Sequence, residues 1–151
     1  WDVPITFLEG GSALPGVQRA ILVILAAQGG AAAAAQNWTL TVAASDETTH
    51  LTTGDAKVRF FMDADVTMSE VFTGLSGQSS SAAVTIDLRK NGTTIFSTPP
   101  SIDASEDTSL TGTAAVLSTT SFTKGDKMQI DIDAAGTGAS GLKVTMRGTF
   151  A

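Results

Sequence analysis

His50 is the only histidine among the 151 residues. A Ser-His-Asp arrangement would have to use it, because the imidazole takes the proton from the attacking hydroxyl. No GxSxG elbow supplies a nucleophile. His50 sits in Thr48-Thr49-His50-Leu51-Thr52-Thr53, which reads as an exposed or edge strand. General acid–base work needs a second and third group in reach, and one imidazole cannot make a histidine metal cluster. The best metal candidate is the loop SIDASEDTS, where Asp103, Glu106 and Asp107 crowd together. Hard cations such as calcium take several carboxylate and carbonyl oxygens. The spacing is not that of a twelve-residue EF-hand loop, and solvated turn acids outweigh the metal reading.

Asp131 and Asp133 lie two apart, on one face of an apparent strand. Glycosidases use two carboxylates, but across a cleft, so this pair reads as a polar outer face. Asp63 and Asp65 read the same way. Gly136, Gly138 and Gly141 approach the GxGxxG fingerprint. They precede a strand, whereas that fingerprint needs a helix N-terminus on the pyrophosphate. Trp38 falls in phase with Leu40 and Val42, which favours core or subunit contact over a sugar-stacking platform. The residues thus name no catalytic or cofactor-binding group, and the acidic loop stands as a weak metal candidate only.

The elements that would position any site are strands. The chain holds 22 Thr, 22 Ala, 15 Gly and 14 Ser. Thr favours strands, and Gly and Ser favour turns. With no cysteine, disulfides and cysteine metal sites are excluded. A net charge of −6 disfavours nucleic-acid binding, which needs clustered Lys and Arg. The strongest apolar run, Ala20 to Ala27, is too short to span a bilayer and lacks the basic start of a signal peptide. No membrane insertion is expected. The chain begins at Trp1 rather than Met, as a processed or partial chain would.

Residues 1–45 form a Gly/Ala-rich segment read as an attachment and oligomerisation element, with Val17 to Leu25 either a buried strand or a short helix. Residues 46–151 read as one β domain, although the alternation starts earlier, at Trp38, Leu40 and Val42. Val58, Phe60 and Met62 share one side of the next strand. Val66 and Met68 open another, which Val71 and Leu75 continue after a shift of face. Val84, Ile86 and Leu88 point inward and run into Asn91-Gly92, the strongest short-range hairpin signal. A two-residue loop there pairs Lys90 with Thr93 and Leu88 with Ile95. Met128, Ile130 and Ile132, then Leu142, Val144 and Met146, mark the cleanest half-buried strands. Short strands at this spacing predict an antiparallel β-sandwich of jelly-roll type. A ligand, if bound, is expected at the end loops 76–82, 98–107 and 134–141.

From about Glu47 onward the chain resembles a domain of tailed-bacteriophage structural proteins of the tail-fibre, head-fibre and receptor-binding kind. The resemblance runs through THLTTGDAKVRFFM, AVTIDLRKNGTTIFS, SIDASEDTS and KMQIDIDAAGTGASGLKVTMRG. IDIDAAGTGASGLKV is its most specific stretch, and Phe60-Phe61-Met62-Asp63 departs from it. It implies a non-enzymatic virion component, homotrimeric, partnered by other virion proteins and by a host cell-surface glycan or protein. An architectural capsid decoration or tail connector is the alternative, and a particle-borne glycan-degrading enzyme ranks below both.

Overall fold

A computed structural model describes residues 35–151. Ala35–Ala151 forms one compact unit, so it begins ahead of the expected boundary at 46, and the run from Val17 to Leu25 lies outside the described residues. The strands are β1 (Asn37–Ala43), β2 (Gly54–Phe61), β3 (Val66–Gly74), β4 (Val84–Lys90), β5 (Thr93–Thr94), β6 (Phe96–Thr98), β7 (Ser101–Ile102), β8 (Val116–Leu117), β9 (Ser121–Phe122), β10 (Lys127–Ala135) and β11 (Lys143–Phe150). No helix occurs among the described residues. One sheet has the order β1-β11-β3-β9 and a second the order β2-β10-β4-β5, with β7 also on β4 and a small β6–β8 pair apart. All pairings between these strands are antiparallel.

The alternation read from the sequence is what fills the core. Val66 and Met68 of the first sheet, and Leu88, Met128 and Ile130 of the second, are almost fully buried in one hydrophobic cluster. Side chains two apart on a strand share a face, so each sheet turns one apolar face to that cluster. The Asn91-Gly92 hairpin forms with the predicted register. Lys90 faces Thr93, the Ile95 N–H donates to Leu88 O at 3.0 Å, and both turn residues have positive φ, 51° and 92°. A type I′ turn requires that at both central positions.

Two irregularities shape the outer faces. On β3, Glu70 faces Arg147 and Met68 faces Gly148, which leaves Ser69 as an extra residue. This β-bulge is the shift of face between Met68 and Val71. The strands approach so closely that a Cβ on Gly148 would lie 2.2 Å from Thr67 O. Between β2 and β10, Ile130 faces Val58 and Ile132 faces Gly54, so Asp55, Ala56 and Lys57 stand opposite Asp131 alone. Ala56 absorbs that excess with φ at 53°, a conformation uncommon for a residue with a Cβ.

Candidate functional site

The three loops singled out from the sequence meet at one end of the strands. Gly77 and Ser140 form a bridge, with the Ser140 N–H donating to Gly77 O at 3.0 Å. Ser80 N–H donates to Thr137 O at 2.9 Å, and Ser105 N–H donates to Ser79 O at 2.7 Å. Ser79 is the hub. Fully buried, its hydroxyl accepts from Thr137 N–H at 2.8 Å and donates to Ala82 O. Gly136, with φ at 66°, passes so near that a Cβ there would meet Ser79 Oγ at 2.6 Å. The Gly-rich run therefore serves close loop packing, since only glycine accepts both that φ and that approach.

A fourth segment joins them, which sequence reasoning missed. Gly141 N–H donates to Asp46 O at 3.0 Å, and Leu51 N–H donates to Ala139 O at 2.8 Å. Lys143 Nζ reaches Glu47 Oε1 at 2.6 Å, and Ser76 Oγ also donates to Glu47. Those two contacts, Lys143 first, lower the pKa of Glu47. Asp46 Oδ1 accepts from the N–H groups of Thr49 and Thr48, at 2.6 and 2.8 Å, which lowers its pKa to about 2. A carboxylate that accepts several N–H bonds is favoured in its charged form. The Asp-x-Thr-Thr order of an Asx turn was the signal available for this segment. Together these loops are locked to one another through their own hydroxyls and amides.

The proposed metal candidate is not assembled. Asp103 and Asp107 are exposed and Glu106 is half-buried, and among the described residues no three His, Cys, Asp or Glu side chains come together. Glu106 N–H closes the turn onto the Asp103 carbonyl at 3.2 Å. His50 is exposed and lines a small cleft with Leu51, Lys57 and Ile132. Asp63 accepts from the indole N–H of Trp38 at 3.3 Å, and Asp65 accepts from Lys124 N–H at 2.7 Å, so both tie down turns.

Asp131 departs from expectation. It is fully buried instead of lying on an open polar face, because the β2 bulge folds over it. Its Oδ1 accepts from Ala56 N–H at 2.5 Å and from the Gln129 side chain at 2.7 Å. Across the sheet it faces Asp87, a like-charge pair that needs a cation between. Arg89 provides one, its Nε lying 2.6 Å from Asp131 and 3.1 Å from Asp87. The contact with Asp131 is ionic and not aligned as a hydrogen bond. Asp131, and then Asp87, hold the Arg89 proton more firmly. Asp133 bulges out of register against β4 and is exposed. Partial desolvation, then Asp87 and Asp131, raise its pKa. Asp87 accepts from the Thr94 hydroxyl at 2.6 Å, so it and Asp131 are tied to neighbouring strands and act as a structural latch.

On the first sheet a cleft of about 370 Å³ opens at the Ser69 bulge, lined by Asn37, Thr39, Glu70 and Arg147 among others. Arg147 pairs with Glu70 at 3.2 Å and lies over the Phe72 ring at 4.9 Å. Comparison of the chain with models of known families, with curated proteins and with solved structures finds no match.

Proposed function

We propose that the chain is a non-enzymatic structural protein of a tailed-bacteriophage particle, a fibre- or spike-type appendage built on a jelly-roll sandwich. Its loop-bearing end meets the host surface. The strand order supports the architecture. From β1 to β4, and again from β9 to β11, successive strands alternate between the two large sheets. That wiring, with one core fed by both sheets, supports a reading as two interleaved Greek keys. The observation that carries the functional reading is polarity. The chain enters β1 where Gln36 O accepts from Phe150 N–H at 3.0 Å. The four interlocked loops lie at the opposite end of β1 and β11, beyond Ala43 and Lys143. In this reading the end at Gln36 attaches and the loop-bearing end is displayed. The sequence resemblance adds the phage context.

A second reading, an architectural decoration or connector, draws on Ser79. Its polar groups and those of its neighbours are spent on each other, as in a cap built for rigidity. Adsorption separates the two. Purified protein is mixed with host cells, followed by the phage. The appendage reading expects bound protein and slowed infection. Binding to purified particles without adsorption to cells supports the connector instead, and absence of the chain from washed particles refutes both.

A further inference from the structure

We infer that β1 is an association edge, and that its occupant is β1 of a second copy of this chain, paired antiparallel about Leu40. The argument begins with how the sheet edges are protected. A free strand edge presents unpaired N–H and C=O groups, and proteins blunt it with charge, proline, bulges or short length. β2, an edge of the second sheet, carries Asp55, Lys57 and Arg59 and is bulged. β9 and β5 are two residues each. β1 has none of these devices. It is seven residues long, Asn-Trp-Thr-Leu-Thr-Val-Ala, uncharged, and in unbroken register with β11. Among the described residues it pairs with β11 alone.

The ladder fixes which groups face outward. Phe150 N–H donates to Gln36 O at one end, and Ala44 N–H donates to Leu142 O at the other. Hydrogen-bonded pairs recur at every second residue of an antiparallel ladder. Trp38, Leu40 and Val42 therefore bond to β11, and the backbone groups of Asn37, Thr39, Thr41 and Ala43 point to the free edge. The close contact of Thr41 Oγ1 with Thr145 Oγ1, 3.0 Å, fits a non-hydrogen-bonded pair on the β11 side.

The strand complements itself. A twofold through Leu40 sets Thr39 against Thr41 of the second copy and Trp38 against its Val42. Thr-Thr pairs and aromatic pairs with β-branched residues are favourable cross-strand neighbours. Leu40 and Val42 are half-buried against the core at this edge, and a second copy covers their open side. No charge stands at the axis to oppose its own image. The pairing closes on a twofold, in contrast to the threefold assembly implied by the resemblance, and it stands or falls independently of the particle role.

The chain has no cysteine, so one introduced thiol can cross-link only to its own image. In the proposed register the two Leu40 Cα atoms lie about 4.5 Å apart, within the disulfide range of roughly 4.4–6.8 Å. The two Val42 positions lie about 14 Å apart. The full-length chain is expected to sediment as a dimer at about 100 μM, a concentration at which edge pairing of micromolar affinity is saturated. Under oxidation Leu40→Cys should give a covalent dimer and Val42→Cys should not. Thr41→Pro removes an outward N–H and spares the β11 ladder, so it should leave the circular dichroism unchanged and raise the dimer Kd at least about tenfold. A monomer at that concentration overturns the inference. So does a trimer, or a dimer in which Leu40→Cys fails to cross-link or Thr41→Pro has no effect.

Discussion

The two outer sheet faces use the same residue types to opposite ends. On the first sheet, Arg147 and Glu70 pair with side chains 54% and 44% exposed. On the second, Asp131 is sealed at 0% exposure between Arg89, Gln129 and the Ala56 amide. Water screens the first pair, and its free energy is small. The second cannot be separated without leaving a buried charge. A bulge decides the difference in each case. The one at Ser69 opens a cleft beside Arg147, and the one at Ala56 closes the backbone over Asp131.

Substitutions sharpen that contrast. Arg89→Met removes the cation that stands between Asp87 and Asp131 and should lower the unfolding midpoint at pH 7 by more than any other substitution named here, because it leaves the buried Asp131 carboxylate uncompensated. Urea unfolding at unchanged m-value reads it directly. A loss no larger than that of Arg147→Ala would place the latch with ordinary surface pairs. Gly148→Ala drives a Cβ into Thr67 O, backbone against backbone. It should cost about 2 kcal/mol, as overpacking does, while the same change at the open Gly138 meets a positive φ but no neighbour and should cost less. Equal losses at the two glycines would deny the tight bulge.

Protonation gives a smaller, signed test. The pKa of Asp133 is raised in the fold, so its folded state prefers the proton. That contribution is complete below the ordinary carboxylate pKa and is lost as pH rises through the raised value. Asp133→Asn should therefore raise the thermal midpoint slightly at pH 7, an effect that solvent screening at this exposed carboxylate keeps small, and leave it unchanged at pH 3. The reverse pattern would mean that Asp133 is held in its charged form. Smallest of all, Arg147→Ala should shift stability by less than about 0.5 kcal/mol, and 0.5 M salt should erase the difference. A larger effect that survives salt would erase the distinction between the faces.

Much of this fold was legible from period-two patterning. β10, β11 and the Asn91-Gly92 hairpin could be read directly, because Met128, Ile130, Val144 and Met146 alternate without interruption and the turn needs positive φ. The step of face at Val71 was also visible, as a broken alternation, although its cause, the extra Ser69 opposite Gly148, was not. β5, β7, β8 and β9 span two residues each, too short to carry a period. Asp131 defeated the pattern for a different reason. Its position on the strand points outward, and the backbone that covers it arrives from Ala56, 75 residues earlier. The end loops were legible as turn chemistry. That the segment from Ser45 to Leu51 locks them through Asp46 and Glu47 is a tertiary fact, written in partners nearly a hundred residues apart.

Whether a tailed-phage particle carries this chain, and where, is the central claim of the proposed function, and electron cryomicroscopy of such particles tests it most directly. The account predicts density that accepts residues 35–151 on an appendage, with the end at Gln36 toward the particle and the loops at Ser79 and Thr137 toward solvent. A particle without that density, or one in which those loops are buried against the particle body, would contradict it.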